Sequence, residues 1–215
     1  MAIPIETLPP PGRGSTEIDL LLGAFPRGRL SEIVGPWSSG GESLLLALLA
    51  RATAGGGLAA LVDGADAFDP AVATAAGADL SSLLWVRCGG EVTLALRAAD
   101  LLARCPGFAV VALDLGDGIL ARRRPIPPTA WLRLQRAVEG SQAALVLHTA
   151  RHVAGSAAAL VLEAERGRAQ WVGSPRPTRL DGLLSRIRVL RFRGPSVSPP
   201  HPEGEEGAWT IAWRP

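Results

Sequence analysis

The apolar positions of this chain fall into short runs that are separated by glycine, proline and charged residues. Compact apolar runs between turn signals are typical of strands buried in a sheet, and apolar residues at three- and four-residue spacing are typical of helices. The pattern predicts strands at Leu30–Val34, Leu58–Asp63, Leu83–Arg87, Phe108–Leu113, Ala143–Thr149, Ala158–Glu163, Ala169–Val172, Ile187–Phe192 and Trp209–Trp213. It predicts helices at Glu17–Gly23, Glu42–Ala54, Phe68–Ala78, Glu91–Ala103 and Thr129–Val138.

Strands and helices alternate in the first part of the chain, and strands follow one another in the last part. This order predicts an α/β fold with a mostly parallel central sheet, helices on both of its faces and an antiparallel C-terminal extension. We predict an irregular segment at residues 1–14 and a single domain at residues 15–215. Residues 194–207 are rich in proline, glycine and glutamate and are predicted to form a mobile loop within that domain.

Composition narrows the class of protein. The chain of 215 residues is 47% hydrophobic and carries a net charge of +2, which predicts a packed core and no strong general attraction for nucleic acid. It contains no segment that resembles a signal peptide and no apolar run long enough for a membrane span. We therefore predict a cytoplasmic protein, with Cys88 and Cys105 as reduced thiols in or near the core.

The most informative stretch is the glycine- and serine-rich turn between the first predicted strand and the helix that follows it. Strand, glycine-rich turn and helix is the arrangement of a phosphate-binding loop, whose pattern is G-x-x-x-x-G-K-[ST]. Gly35 and Gly40 have the spacing of its two glycines, but Gly41 replaces the lysine and Glu42 replaces the hydroxyl that holds Mg²⁺. A carboxylate in the first helical turn repels a triphosphate. The predicted degenerate loop comprises Gly35, Ser38, Ser39, Gly40, Gly41, Glu42 and Ser43.

Four stretches in order resemble the RecA recombinase family. LSEIVGPWSSGGES is similar to the family's strand and phosphate loop, E-I-x-G-P-x-S-S-G-K-T, and ALVDGADAFDP is similar to I-D-A-E-x-A-L-D-P. AGADLSSLLWVRC resembles G-V-D-x-x-x-L-L, and FAVVALDLGDG lies where the family has V-I-V-V-D-S. The resemblance covers roughly residues 15–151 and implies a RecA-like core.

Departures from the family pattern predict the loss of ATP hydrolysis. Ala65 lies where the family has the catalytic glutamate, and a methyl group cannot activate water. Asp114 keeps the acidic position that supports the metal, and we interpret it as a relic or turn residue rather than a Mg²⁺ ligand. Asp66 is a poor substitute base, and Thr149 replaces the glutamine that senses the γ-phosphate. We expect no cofactor and no metal, and we expect Gly41→Lys with Glu42→Thr to restore some nucleotide affinity but no turnover.

The erased catalytic positions make the chain similar to the ImuA group of proteins, which assist mutagenic translesion synthesis in the bacterial SOS response. That resemblance implies contact with RecA and with an ImuB-type, Y-family polymerase-like protein. The short sequence on either side of the core, and the short turn after Arg151, argue against a self-assembling ATP-driven filament. The alternatives are an ATP-binding regulator that does not hydrolyse ATP and a DNA-binding recombination accessory factor.

Other residues are candidates for partner contact. Arg122, Arg123 and Arg124 correspond to the family's first DNA-binding loop, and they either contact phosphates or form a solvated loop. Arg186 and Arg188 are predicted to face solvent on an edge strand and to bind an acidic partner or DNA. Trp37 either anchors an interface or folds over the nucleotide pocket.

Overall fold

The computed structural model describes residues 21–54, 56–116, 126–174, 176, 178–193 and 208–213. Three predictions lie outside these residues: the irregular segment at 1–14, the arginines at 122–124 and the mobile loop at 194–207. The predicted helix Glu17–Gly23 lies within them only at residues 21–23, which are helical. No helix in the described ranges is both long and apolar enough to cross a membrane.

Eight strands form one sheet in the order β3-β2-β4-β5-β1-β6-β7-β8. The strands are β1 (Leu30–Val34), β2 (Leu58–Asp63), β3 (Leu83–Arg87), β4 (Phe108–Asp114), β5 (Ala144–Thr149), β6 (Ala158–Val172), β7 (Arg179–Phe192) and β8 (Ala208–Trp213). The helices are α1 (Gly41–Ala54), α2 (Pro70–Ala75), α3 (Val92–Arg104) and α4 (Pro128–Val138). Strands β1 to β6 pair in parallel, whereas β6 with β7 and β7 with β8 pair antiparallel.

Helices cover both faces of the sheet, as the alternation of elements predicts. The alanines of α3 and the apolar residues of α4, including Trp131, pack into one buried cluster with alternate residues of β1, β2, β4 and β5. The leucines of α1 pack into a second cluster on the other face, which also takes up Trp209 and Ile211 of β8. Strands that are covered on both faces have continuous apolar sequences, and for this reason the sequence predicted their bounds closely.

The C-terminal strands differ from the prediction. Ala158–Glu163 and Ala169–Val172 belong to one continuous strand, β6. The residues before Ile187, for which the sequence predicted no strand, form the first half of β7. The distal parts of β6 and β7 pair with each other as an exposed ribbon, so their backbone is satisfied without an apolar run in the sequence. Gly167 lies at a bulge in this ribbon, where a Cβ atom would approach the carbonyl oxygen of Leu184 to 2.3 Å.

The prediction for the two cysteines is half right. Cys88 is buried, but Cys105 is exposed at the end of α3. Gly107 and Pro106 follow it in the turn to β4, so Cys105 lies just outside the helical face that packs on the sheet.

A buried carboxylate ties α3 to α4. Asp100 is 6% exposed and accepts hydrogen bonds from Arg133 of α4 and Arg104 of its own helix. The hydrogen bond from Arg133 is the main cause that lowers the pKa of Asp100 to about 2, and Arg104 lowers it further against the opposing effect of burial. Ion pairs of this kind stabilise the folded state only while the carboxyl is ionised.

We expect Asp100→Asn to lower the free energy of unfolding by about 1–2 kcal/mol at neutral pH. Because the folded pKa lies below the unfolded value near 4, this contribution is complete above about pH 5 and disappears as the pH falls towards 2. Urea unfolding of both proteins between pH 7 and pH 2.5 measures the difference. A gap between the two curves that stays constant over this range would contradict the assignment.

Candidate functional site

The glycine- and serine-rich turn lies between β1 and α1, at the carboxyl ends of the parallel strands. It borders a cavity of about 950 Å³. Open α/β sheets bind their ligands at this edge, so the position is that of a nucleotide site. The lining consists of Gly35, Pro36, Trp37, Ser38, Ser39, Gly40, Gly41, Glu42, Ser43, Ala65, Ala67, Gly89, Gly90, Asp114, Gly116, His148 and Leu183.

The backbone of the turn has an unusual conformation. Ser38 and Gly40 have φ values of 61° and 93°, in the left-handed region that glycine favours. A Cβ atom at Gly35 would come within 2.3 Å of the Ser39 hydroxyl oxygen and 2.7 Å of the Ala164 carbonyl oxygen. The turn therefore requires glycine at position 35, and the fold preserves the tight turn although the phosphate-binding side chains are absent.

His148, at the end of β5, occupies the space next to Gly41. The histidine is 9% exposed, and its Nδ1 lies 2.9 Å from the Asp114 carboxylate, to which it donates a hydrogen bond. On the other side of the ring, a Cβ atom built at Gly41 would lie only 2.9 Å from Nε2. A side chain at position 41 therefore requires the His148 ring, which Asp114 holds by its other nitrogen, to shift. The sequence reasoning missed this contact because nothing in the spacing of Gly41 and His148 brings them together.

Glu42 adds negative charge to the same end of the cavity. Partial desolvation raises the pKa of its carboxyl, the charges of Asp114 and Asp63 raise it further, and His148 opposes them. Asp114 itself is 8% exposed and accepts from His148 and from the backbone N–H of Gly116. These residues do not fit a Mg²⁺-bound triphosphate, because a glycine and a carboxylate stand where the lysine and the hydroxyl would bind it.

The acidic residues after β2 organise their own turn. The Asp63 carboxylate is buried and accepts from the backbone N–H groups of Ala67 and Phe68 and from Nε1 of Trp85. Asp66 forms an ion pair with Arg87, 2.8 Å between nitrogen and oxygen. Ala65 lines the cavity at the position predicted for the lost base. Asp66 is thus engaged by Arg87 on the neighbouring strand.

Another buried carboxylate, that of Glu32 in β1, holds the turn that follows β5. Glu32 is fully buried and accepts from the backbone N–H groups of Val153 and Ala154 at 2.8 and 3.1 Å, and it pairs with His152. The hydroxyl of Thr149 donates to the carbonyl oxygen of Arg151 in the same turn. The sequence reasoning missed this network, although a glutamate inside an apolar strand was a signal that a buried charge needs partners.

The remaining predicted residues have different environments. Trp37 is 69% exposed at the rim of the cavity, which argues against the interpretation that it folds over and fills the pocket. Arg166 of β6 donates to the Trp37 carbonyl oxygen at 2.7 Å and so connects the ribbon to the turn. Arg186 is exposed, as predicted, but its strand is not an edge strand, because β7 pairs with β6 on one side and with β8 on the other. Arg188 is not simply solvent-facing: it is half-buried and bridges Glu163 and Glu165 across the ribbon.

The two histidines that the structure describes lie in different hydrogen-bond networks. His148 pairs with Asp114 and His152 pairs with Glu32, so the two rings belong to separate networks. Among the residues described by the structure, no group of three or more histidine, cysteine, aspartate or glutamate side chains is arranged to hold a metal ion.

Comparison with known proteins agrees with the fold. A family model described as the RecA N-terminal domain matches residues 2–159. Protein RecA of Chlorobaculum parvum is 37% identical over 150 residues, which are 62% of this chain and 43% of that protein. Protein RecA of Rubrobacter xylanophilus is 44% identical over 112 residues, 51% of this chain and 32% of that protein.

The similarity is therefore partial: each of these alignments spans less than half of the relative's length. The family model nevertheless spans β1 to β5, the turn after β1 and the acidic ends of β2 and β4. With its RecA-like sheet and a family match over most of its length, the chain belongs to the RecA N-terminal domain family.

Proposed function

We propose that this protein is a RecA-like pseudo-ATPase, which acts by contact with other proteins rather than by turnover. The observation that carries the proposal is the position of His148, whose Nε2 lies 2.9 Å from where a Cβ atom at position 41 would be, so that a lysine there requires the ring to shift. Glu42, in the first turn of α1, places a carboxylate where a phosphate would be bound. Ala65 offers no base at the third catalytic position.

The proposed role is that of an ImuA-like accessory factor in the DNA-damage response. In this role the protein assists translesion synthesis by binding RecA and an ImuB-type polymerase-like protein. The support is the combination of a retained RecA-like sheet with a phosphate-binding turn in which Gly41, Glu42 and Ala65 stand at the positions of the lysine, the hydroxyl and the base. Co-sedimentation or pull-down with purified RecA and with the polymerase-like protein tests the partners. Failure to associate with either at micromolar concentration would count against this role.

Calorimetric titration with Mg-ATP tests the pseudo-ATPase proposal directly. We expect no resolvable heat of binding and no phosphate release, whereas a RecA protein measured in parallel binds and hydrolyses ATP. Binding with a Kd below about 100 μM, or about −5.5 kcal/mol, would overturn the proposal.

A second candidate, a regulator that binds ATP without hydrolysing it, has one observation in its favour. The cavity of about 950 Å³ and the left-handed turn at Ser38 and Gly40 are both retained. Binding without phosphate release in the same titration would support this candidate. A matched titration with AMP helps to separate the two candidates. AMP lacks the β- and γ-phosphates that Glu42 and Asp114 would repel, so binding of AMP without binding of ATP would favour the pseudo-ATPase proposal.

A further inference from the structure

Helices α3 and α4 enclose a second cavity, on the face of the sheet opposite α1. The two helices lie side by side, and the groove between them has a volume of about 390 Å³. It is lined by Thr93, Leu96, Arg97, Asp100, Thr129, Ala130, Arg133 and Leu134. We call this the α3–α4 groove.

The groove has an apolar floor and a positively charged rim. Leu96, Ala130 and Leu134 form its apolar part, and Thr93 and Thr129 supply hydroxyls. Arg97 and Arg133 are the positively charged residues of its lining, and Asp100 is the negatively charged one. Both oxygens of Asp100 are already engaged by Arg104 and Arg133, so the aspartate positions these guanidinium groups rather than leaving a negative surface.

Leucines continue this surface along the outer side of α3. Leu94 is 52% exposed and Leu101 is 65% exposed, although both lie on a helix whose other leucines and alanines are buried or half-buried. Positions 94, 97 and 101 follow one another at three- and four-residue spacing, so Arg97 lies between the two leucines on one helical face. Exposed apolar side chains mark a protein interface when they form one patch with polar residues around it, and here the two leucines flank Arg97 beside the groove.

We infer that the α3–α4 groove binds an acidic, amphipathic segment of a partner protein, with its carboxylates on Arg97 and Arg133 and its apolar side chains on Leu94 and Leu101. The inference deepens the proposed function, which requires a contact surface, and rests on it. Charge complementarity argues for an acidic occupant, and the exposed leucines argue that the occupant also carries apolar residues.

Other occupants fit the surface less well. A nucleic acid satisfies the arginines but leaves the leucines of α3 uncovered. The chain's own acidic stretch, Glu203, Glu205 and Glu206, lies in a sequence of glycine and proline with few apolar side chains, so it too leaves them uncovered. Both alternatives remain as outcomes of the test.

The test uses the full chain and a fluorescein-labelled helical peptide of about 15 residues, with leucines at three- and four-residue spacing and glutamates between them. Fluorescence anisotropy measures its Kd. We expect Arg97→Glu to weaken binding by at least about tenfold, equivalent to 1.4 kcal/mol. We expect Leu101→Ala to weaken binding less than Arg97→Glu does. We also expect a peptide with glutamine in place of glutamate to bind the unaltered chain as weakly as the acidic peptide binds the Arg97→Glu variant.

The matched control is Arg168→Glu, an equal change of charge at an exposed position on the distant ribbon formed by β6 and β7. It is expected to change the Kd less than twofold. Equal losses with Arg97→Glu and Arg168→Glu would overturn the inference, because the attraction would then be general. The inference would also be overturned if neither Leu101→Ala nor the glutamine peptide changed the Kd, or if the unaltered chain did not bind the acidic peptide.

Two further measurements identify the alternative occupants. Replacement of Glu203, Glu205 and Glu206 by glutamine is expected to leave the Kd unchanged. A marked gain in affinity would show that the chain's own segment covers the groove and would overturn the inference. If a labelled single-stranded oligonucleotide at equal concentration competed with the peptide, the inference would also be overturned, and nucleic acid would be the favoured occupant. A Mg-ATP titration is independent of these results, so failure here leaves the pseudo-ATPase proposal standing.

Discussion

A variant with Gly41→Lys and Glu42→Thr is expected to gain little affinity for Mg-ATP, whereas the same variant with His148→Ser added is expected to bind at least about tenfold more tightly. Sequence alone predicted that the first two changes would restore some affinity. The structure gives a reason to expect only a small gain, because a Cβ atom at position 41 would meet Nε2 of His148 at 2.9 Å. The buried ring, whose other nitrogen is held by Asp114, would have to shift.

Removal of the ring provides the space, the lysine provides a charge-assisted bond to phosphate, and the threonine replaces a repelling carboxylate with a hydroxyl. Titration calorimetry of both variants measures the effect, with circular dichroism to confirm folding. His152→Ser added to the double variant is the matched control, because His152 lies in a different network. Equal affinities of the double and triple variants would show that His148 does not close the site. None of these variants is expected to hydrolyse ATP while Ala65 remains.

Glu32→Ala is expected to destabilise the protein by about 3–5 kcal/mol, one of the largest losses for a single change outside the apolar clusters. The alanine leaves the N–H groups of Val153 and Ala154 without their acceptor in a buried place and removes the partner of His152. Urea unfolding monitored by tryptophan fluorescence measures the loss. Hydrogen exchange should report faster opening of the turn after β5 in the same variant.

Glu32→Gln is expected to lose less, about 1–2 kcal/mol, because its amide oxygen still accepts from the two N–H groups while the charge opposite His152 is lost. Glu139→Ala is the surface control: Glu139 is exposed and lies 4.0 Å from Arg29, so its loss should be within about 0.5 kcal/mol. If Glu32→Ala proved no more destabilising than Glu139→Ala, Glu32 would not be the residue that organises the turn.

Strand and helix positions in the parallel part of the sheet were predictable because burial on two faces imposes apolar runs. Leu30–Val34, Leu58–Asp63 and Leu83–Arg87 were predicted with the bounds that β1, β2 and β3 have in the structure. Asp69 caps α2 by accepting from the N–H of Ala71, and Pro70 follows it at the first helical position, which proline favours. The ribbon of β6 and β7 was fragmented by the prediction because its pairing, not its apolar content, maintains the strands.

For the site, the order of residues predicts the loss of the lysine, the hydroxyl and the base, since a motif places each role at a set spacing, and this loss stays a prediction. The chain's local pattern thus determined a RecA-like sheet and a glycine-rich turn after β1. The folded arrangement added what spacing cannot express: His148 against Gly41 and Glu32 against the turn after β5. These contacts join residues more than a hundred positions apart, so they arise only when the sheet places β1 beside β5.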